Sequence, residues 1–334
     1  MFSERKLMKF FLFFFLFLVS LSASDYLKTL THVYKQDEFR IYYTLKGNNS
    51  LPPKNQLDVN HNGTPDYVEN IANQLSEVSK LFIGNFGFIH PLNQPRFKNK
   101  ANFIDIHLIP LKVNGAARDE IDIKNKSLVI KLSVNLIPTT LTPMHEFFHL
   151  IQYGYSMFNN RWSMEGQARW AENAFRKGTG KQKKLPSSIQ EMKELTNTIY
   201  EASYFWERIA YLSSNTNSTF SYKRQYKNIF TKKYWIQDKT LYGYNIIQNI
   251  LKNYQIYDKE VEIVYNFPHY KWTEKQQKSF NNNLYIFLSI QKALINLANK
   301  NKEISDFIDL INQYKHEEYK CTHFTKNIFS PPVL

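Results

Sequence analysis

The chain contains a single cysteine, Cys321, among its 334 residues. One cysteine cannot form a disulfide within the chain, and it cannot supply a thiolate cluster for zinc. The class of small domains held together by disulfides is therefore excluded. Stability must come from a hydrophobic core, which a chain of this length is long enough to bury.

The apolar run near the N-terminus is short. It covers residues 10–19 and follows three basic residues, Arg5, Lys6 and Lys9. Because a bilayer-spanning helix needs ~20 apolar residues, the pattern predicts a signal peptide over residues 1–24, with an uncleaved anchor as the alternative. No cysteine lies near the expected cleavage site, which excludes a lipoprotein. We expect a secreted, periplasmic or cell-surface protein without a transmembrane segment after cleavage.

Acidic residues are fewer than basic ones, with 29 Asp and Glu against 43 Lys and Arg, which gives a net charge of +14. Removing residues 1–24 takes away three basic residues and one acidic residue, which lowers the charge by two, to +12. Such a surface attracts anions. Lys, Asn, Ile, Phe and Tyr are all abundant, however, which indicates compositional drift. No nucleic-acid fold motif is present, so no specific nucleic-acid partner is expected, and the sequence carries no signal for an oligomeric state.

Two histidines lie four residues apart in the stretch His145-Glu146-Phe147-Phe148-His149. On an α-helix, positions i and i+4 share a face, so both rings could reach one metal ion. Two imidazoles with a carboxylate after the first form the H-E-x-x-H zinc pattern, in which the carboxylate is the general base. The alternative is a pair of helical histidines with ordinary hydrogen bonds.

The residues around this pattern predict a buried helix. Thr142 and Pro143 would be its N-cap and first helical residue, and Gly154 would end it. Apolar side chains would bury one face of the helix in the core; they are Phe147, Phe148, Leu150 and Ile151. The sequence therefore places both histidines on a rigid, buried element.

A third metal ligand is expected further along the chain, because catalytic zinc generally takes three protein ligands and keeps one open position. Glu165 lies 16 residues after His149, within the stretch Trp162-Ser163-Met164-Glu165-Gly166-Gln167-Ala168-Arg169-Trp170. A first helix ending near Gly154, a loop through Asn159-Asn160 and a second helix would bring Glu165 back to the metal.

Together, H-E-F-F-H and W-S-M-E-G-Q-A-R-W resemble the two-helix signature of gluzincin-type zinc metallopeptidases, especially the secreted bacterial branch with peptidase MA-like catalytic domains. The resemblance covers residues 142–172. It implies that His145, His149 and Glu165 bind Zn²⁺ and that Glu146 is the catalytic base. It also implies a zincin-like α+β fold, with a mixed sheet, an active-site helix and a C-terminal helical lobe.

One position departs from this resemblance. Some gluzincins carry an aspartate four residues after the ligand glutamate, where it orients a ligand histidine, but here Arg169 stands at that position. Glu172 lies seven residues after Glu165 on the same helical face and could take the orienting role. The alternative for Glu172 is a solvated surface carboxylate.

Zinc-centred hydrolysis develops an oxyanion, which a Tyr, His or Arg donor often stabilises together with the metal. Tyr200 and Tyr204 are candidates by their position in the expected helical lobe. Packing is the alternative role, because the chain has 22 tyrosines. His107, on a predicted strand, is either a cleft-lining side chain or a core histidine.

A second pattern, residues 58–69, fits the calcium loop D-x-[DN]-x-[DN]-G-x5-E. Its oxygen-bearing side chains are those of Asp58, Asn60, Asn62, Thr64, Asp66 and Glu69. Leu51-Pro52-Pro53 argues against an incoming helix, so we expect a lone Ca²⁺ loop of modest affinity. In the alternative, Asp66 is an N-cap with Glu69 at N3, opening a helix over residues 67–82.

Periodicity predicts strands in the first half of the chain and helices in the second. The predicted strands cover residues 38–45, 102–109 and 127–134. After the H-E-x-x-H helix, the clearer predicted helices cover residues 188–196, 200–212, 241–254 and 283–299. We therefore predict three parts: a signal peptide (1–24), a β-rich part with the calcium loop and H-E-x-x-H helix (25–155), and a helical lobe with the third ligand (156–334).

These patterns favour a zinc-dependent peptidase that cleaves a peptide or protein substrate with Glu146 as general base. The alternative is a non-catalytic binding or adhesion protein of zincin fold, in which metals only brace the structure. Glu146 favours the enzyme, because a purely structural metal site needs no base.

Overall fold

The computed structural model describes residues 26–178, 180–214 and 219–328, with side chains through residue 318. The predicted signal peptide and its cleavage site near Ala23 or Ser24 lie outside the described residues, as does the side chain of Cys321.

A single five-stranded mixed sheet forms the β part of the described chain. Its strands are β1 (His32–Gln36), β2 (Phe39–Tyr43), β3 (Phe103–Ile109), β4 (Gly115–Asp122) and β5 (Ser127–Ser133). The strand order is β1-β2-β3-β5-β4. The three central strands run parallel, and the edge strands β1 and β4 are each antiparallel to their neighbour. Strand β4 therefore presents one free edge of the sheet.

Helices make up most of the remaining described chain. They are α1 (Asp66–Ser79), α2 (Thr142–Tyr155), α3 (Arg161–Ala171), α4 (Ile189–Thr196), α5 (Ser203–Ser213), α6 (Tyr244–Tyr265), α7 (Glu274–Gln277), α8 (Asn282–Leu294) and α9 (Lys302–Ile328). The predicted mixed α+β class is confirmed. No helix in the described part of the chain has the length and apolar character needed to cross a membrane.

Helix α2 is buried in the core between the sheet and the other helices. Its Phe147 ring packs edge-on against Phe39 of β2, with ring centroids 5.5 Å apart. Phe148 packs against Phe82 and against Trp170 of α3. These apolar contacts fix the position of α2, so the polar side chains on its other face are held rigidly.

The connection between α2 and α3 is fixed by a buried carboxyl group of α6. Ser156 Oγ and the Met157 amide lie 3.0 and 2.8 Å from the carboxyl oxygens of Asp258. Gly154 lies against Gln94, where an added Cβ would be 2.5 Å from Gln94 Cγ. The tight turn that follows allows α3 to return along α2.

Element positions follow the sequence patterns, whereas several boundaries differ. The three predicted strands are present as β2, β3 and β5, but β1 and β4, which have mostly exposed or half-buried side chains, were missed. Helix α6 starts three residues later than predicted and continues to Tyr265. The predicted helix over 200–212 begins as a 3₁₀ turn, and the one over 283–299 ends in another.

Two predicted helix starts are wrong by one residue. Thr142 is the first residue of α2 and Leu141 is its N-cap, so Pro143 is in the first turn but not its first residue. Asp66 likewise opens α1, with Pro65 as N-cap and no capping side chain. Proline fits both positions, in the first turn of α2 and at the N-cap of α1, because an N–H there has no partner within the helix.

Candidate metal centre

Three side chains from two helices meet at one point. His145 and His149 come from successive turns of α2, and Glu165 comes from α3. The Nε2 atoms of the two histidines are 3.1 Å apart, and Glu165 Oε2 lies 3.1 Å from His145 Nε2 and 3.6 Å from His149 Nε2. Among the described residues, this is the one group of three or more His, Cys, Asp or Glu side chains that could hold a metal ion.

The geometry suits a tetrahedral ion with nitrogen and oxygen ligands. Zinc lies about 2.0–2.2 Å from such ligands, and tetrahedral angles then separate the ligand atoms by about 3.3–3.5 Å. The observed separations of 3.1 to 3.6 Å are close to that value. The three predicted ligands are therefore brought together as expected, and the donor set fits Zn²⁺.

Each histidine ring is held through its second nitrogen. His145 Nδ1 lies 2.9 Å from Glu172 Oε1, and His149 Nδ1 lies 2.8 Å from Gln152 Oε1. Gln152 is fixed in turn because its Nε2 donates to the Met164 carbonyl and to Gln167. Both Nε2 atoms are thus directed at the shared point, which is the usual role of groups behind a metal-binding histidine.

Glu172 is buried and does not act as a solvated surface carboxylate. It lies at the C-terminal end of α3, where its carboxylate also accepts from Arg169 and Arg176. Burial raises the pKa of Glu172, but the bonds to His145 and to the two guanidinium groups lower it below its usual range. Arg169 therefore does not bind a histidine itself but helps to keep Glu172 ionised.

The three candidate ligands His145, His149 and Glu165, here called the ligand group, strongly favour a positive charge at the point where they meet. Burial would lower the pKa of His145, but its bonds to Glu165 and Glu172 raise the pKa to about 9. The same contacts hold the pKa of Glu165 well below its usual range, against the effect of burial. A site that stabilises an added proton in this way also favours a cation at the same point.

Glu146 lies beside the ligand group without belonging to it. Its Oε2 accepts a 2.7 Å hydrogen bond from the Ala117 amide of β4. Gly115 of the same strand is so close that an added Cβ would lie 3.0 Å from Glu146 Cγ and 2.8 Å from Thr142 Cγ2. The free edge of the sheet therefore passes directly over the carboxylate.

A cavity of about 890 Å³ opens in front of His145 and Glu146. Tyr200 lines this cavity, 46% exposed, and the Arg169 guanidinium lies 4.9 Å from its ring centre. Tyr204 does not line the cavity. His107 is a buried residue of β3 that contacts Tyr26, and it does not line the cavity.

The predicted calcium loop is ordered by its own hydrogen bonds. Asp58 accepts from the Asn62 and Gly63 amides, while the side-chain amides of Asn60 and Asn62 both donate to Glu69. Gly63 has φ +86°, as expected for the sharp turn. The carboxylates of this loop do not form a metal-binding group of the kind seen at His145, so calcium binding stays a prediction.

Two features of the site were not predicted from the sequence. Gln152 lies three residues after His149, a spacing that places both on one helical face, and this signal could have identified it. Residues 219–239 contribute to the far wall of the cavity, where Asn228, Thr231 and Lys233 line it. No local pattern connects that segment to α2, because their contact depends on the folded chain.

No protein-family model, no curated protein and no solved structure matches this chain.

Proposed function

We propose that the protein is a zinc-dependent peptidase of zincin type, with His145, His149 and Glu165 as ligands. The observation that carries the proposal is the position of Glu146, whose carboxylate borders the cavity beside the ligand group but is not one of its three members. A metal site with only a structural role needs no carboxylate of this kind.

The free edge of β4 supports a polypeptide substrate. Unpaired backbone groups on an edge strand can bind an extended peptide as an additional strand. Because β4 passes over Glu146 at Gly115 and Ala117, a peptide paired with this edge would be held beside the carboxylate and the ligand group. Its backbone could then be positioned without a requirement for one particular side chain.

The proposed hydrolysis needs a metal ion to activate water and a carboxylate to move the proton. Zn²⁺ held at this point would polarise the scissile carbonyl and lower the pKa of water. Glu146 would accept the proton from the attacking water and deliver it to the departing amine. The Ala117 amide fixes the orientation of the carboxylate, and the buried surroundings of α2 keep it in place.

The test is the substitution Glu146→Gln, which keeps the shape of the side chain and its bond from Ala117 but removes the base. Zinc content and folding should stay at the wild-type level, while hydrolysis of a mixed peptide library should fall by at least ~10²-fold. Glu274→Gln, at an exposed carboxylate of α7, is the control and should retain activity. If wild type cleaves nothing, or if Glu146→Gln cleaves equally well, a binding protein with a structural metal is the better description.

A further inference from the structure

Residues 219–239, here called the basic segment, form one wall of the cleft beside the metal centre. The segment contains Lys223, Arg224, Lys227, Lys232, Lys233 and Lys239, against one acidic residue, Asp238. Asp238 is engaged by the backbone, because its carboxylate accepts from the Gly178 and Thr240 amides. The segment therefore presents a concentration of positive charge next to the site.

The basic segment is fixed to α1 by buried polar groups. The Glu77 carboxylate accepts from the Gln225 and Tyr226 amides, and Asn70 Oδ1 accepts from the Ile229 amide at 2.8 Å. Trp235 and Ile236 of the segment are buried in the core. The backbone of the basic segment is therefore fixed, so the fold defines where its positive charges lie relative to the metal centre.

Two cavities lie along this segment, and one of them is at the metal centre. The 890 Å³ cavity at His145 and Glu146 reaches Lys233, Tyr234 and Gln237, and these three residues also line a second cavity of about 340 Å³. Five cationic side chains line the second cavity, and none of the described residues that line it is acidic; the five are Lys177, Arg224, Lys227, Lys232 and Lys233. Because the two cavities share three lining residues, the cationic side chains of the second cavity lie next to the first, and together they are called the cationic path.

The acidic side chains in the first cavity do not neutralise this path. They are Glu146 and Glu172, both at the metal end, and Glu172 is already paired with His145, Arg169 and Arg176. Lys112 and Lys233 line the same cavity as exposed side chains. The charge available to a ligand beyond the metal centre is therefore positive.

We propose that this path binds carboxylates of the polypeptide being cleaved, so that the preferred substrates carry negative charge to one side of the scissile bond. The proposal rests on the peptidase function above and names its substrate class. The carboxylates can belong to Asp and Glu side chains or to the C-terminus of the peptide, and the experiment separates these two sources.

The surroundings favour a peptide over a nucleic acid. Single-stranded nucleic acids are bound through open aromatic faces on which bases stack. The Tyr234 ring of the basic segment is covered by Arg224 and Lys227, whose cationic groups lie 4.7 and 4.9 Å from its centre. The path also begins beside the β4 edge, which suits extended peptide backbone.

The experiment compares kcat/KM of the full-length protein for four peptides that share one cleavable core. The acidic peptide carries a run of Asp and Glu and an amidated C-terminus. The neutral peptide carries Asn and Gln in their place and is made in two forms, with an amidated and with a free C-terminus. The fourth peptide carries Lys at the same positions. We expect kcat/KM for the acidic peptide to exceed that for the neutral amidated peptide by at least about tenfold at low salt. This preference should shrink above ~0.1 M salt, where the Debye length is ~10 Å.

The variant is Lys232→Glu with Lys233→Glu, two exposed side chains whose substitution leaves the backbone bonds of the segment intact. It should reduce the ratio of kcat/KM for the acidic peptide to kcat/KM for the neutral amidated peptide by about tenfold. The control is Lys259→Glu with Lys275→Glu, which makes the same charge change at exposed positions that do not line either cavity. Its acidic preference should remain.

The outcomes separate this proposal from the peptidase function. Equal cleavage of the acidic and the neutral amidated peptide overturns the proposed preference for acidic substrates, while the peptidase function stands. A preference only for the peptide with a free C-terminus shows that the path binds a terminal carboxylate. A single-stranded oligonucleotide that competes better than the acidic peptide at equal charge overturns the peptide assignment. If no peptide is cleaved, binding of the acidic peptide to the Glu146→Gln variant is measured by fluorescence anisotropy. Binding that is lost when Lys232 and Lys233 are also replaced supports the cationic path as a carboxylate-binding site. Absence of binding overturns the proposal.

Discussion

His145 Nδ1 and Glu172 Oε1 are 2.9 Å apart, and Glu172 is only 3% exposed. Because the pKa of Glu172 is lowered, its carboxylate is ionised and can only accept, so the proton must lie on His145 Nδ1. When the ring is neutral, the form that binds a metal ion, the Nε2 lone pair of His145 is directed toward the point it shares with His149 and Glu165. One buried carboxylate thus sets the tautomer of a candidate metal ligand.

Loss of Glu172 should weaken zinc binding without removing a ligand. Groups that orient a metal-binding histidine are typically worth ~10 to 100-fold in metal affinity, and we expect a decrease of that size in Glu172→Ala. Glu165→Ala removes a proposed ligand and should abolish stoichiometric zinc. Both are measured by titration against a competing chelator. Wild-type zinc affinity in Glu172→Ala would contradict the orienting role, and full zinc content in Glu165→Ala would contradict the three-ligand site.

Tyr200 and Tyr204 offer a matched pair of substitutions. Burial, together with the nearby Glu165 carboxylate, raises the pKa of Tyr200, so its hydroxyl stays protonated at neutral pH and can donate. If Tyr200 stabilises the oxyanion, Tyr200→Phe should lower kcat by ~10² to 10³-fold, the usual effect of one such donor. Tyr204→Phe should leave kcat unchanged because Tyr204 does not line the cavity. Equal effects of the two substitutions would remove Tyr200 from the chemistry.

Calcium should raise the melting temperature if the loop at residues 58–69 binds it. The Asn60 and Asn62 amides donate to Glu69, so binding requires them to rotate and present oxygen instead. For a Kd of ~10⁻⁴ to 10⁻³ M, typical of extracellular modules, ~10 mM calcium stabilises the fold by about 1–3 kcal/mol. Glu69→Gln should abolish the shift. An unchanged melting temperature in chelator-treated wild type would rule out the site.

Asp258 should make stability depend on pH. Burial raises the pKa of this carboxyl to about 8 from 3.8, so the folded state binds a proton that the unfolded chain lacks between these values. The free energy of unfolding should therefore fall as pH rises through this window, by at most about 1.4 kcal/mol per pH unit. Asp258→Asn can still bond Ser156 and Met157, and should lack this dependence. Parallel curves for the two proteins in urea unfolding from pH 5 to 8 would contradict the assignment.

The local part of the site could be read from the sequence. Four residues make slightly more than one helical turn, so an apolar helix carrying His145 and His149 must place both rings on one side, whatever surrounds it. The same reasoning places Glu146 one residue further around the helix. Predicted strands with buried β-branched residues, such as residues 102–109, were also found at nearly their expected positions as β3.

Elements that depend on distant partners were not predicted in this way. Strand β4 begins with three small residues, continues with mostly charged ones and has no buried apolar face. Only its pairing with β5 and its passage over Glu146 give it a role. Glu172 was predicted as a candidate to orient a ligand histidine, but that this histidine is His145 depends on the crossing of α2 and α3. The basic segment likewise reaches the cleft because Glu77 and Asn70 hold it on α1.

The sequence by itself therefore determined the helical spacing of the two histidines and of the glutamate between them, because periodicity acts over a few residues. Glu165 and Glu172 were candidates from the sequence, and the tertiary structure decided that both meet His145. Only the tertiary structure decided which strand edge lies over Glu146 and which charges line the cleft. These relationships join residues from 20 to more than 140 positions apart, as His145 with Glu165 and Glu77 with Gln225 show. Packing of the core sets such distances, and no local pattern in the chain encodes them.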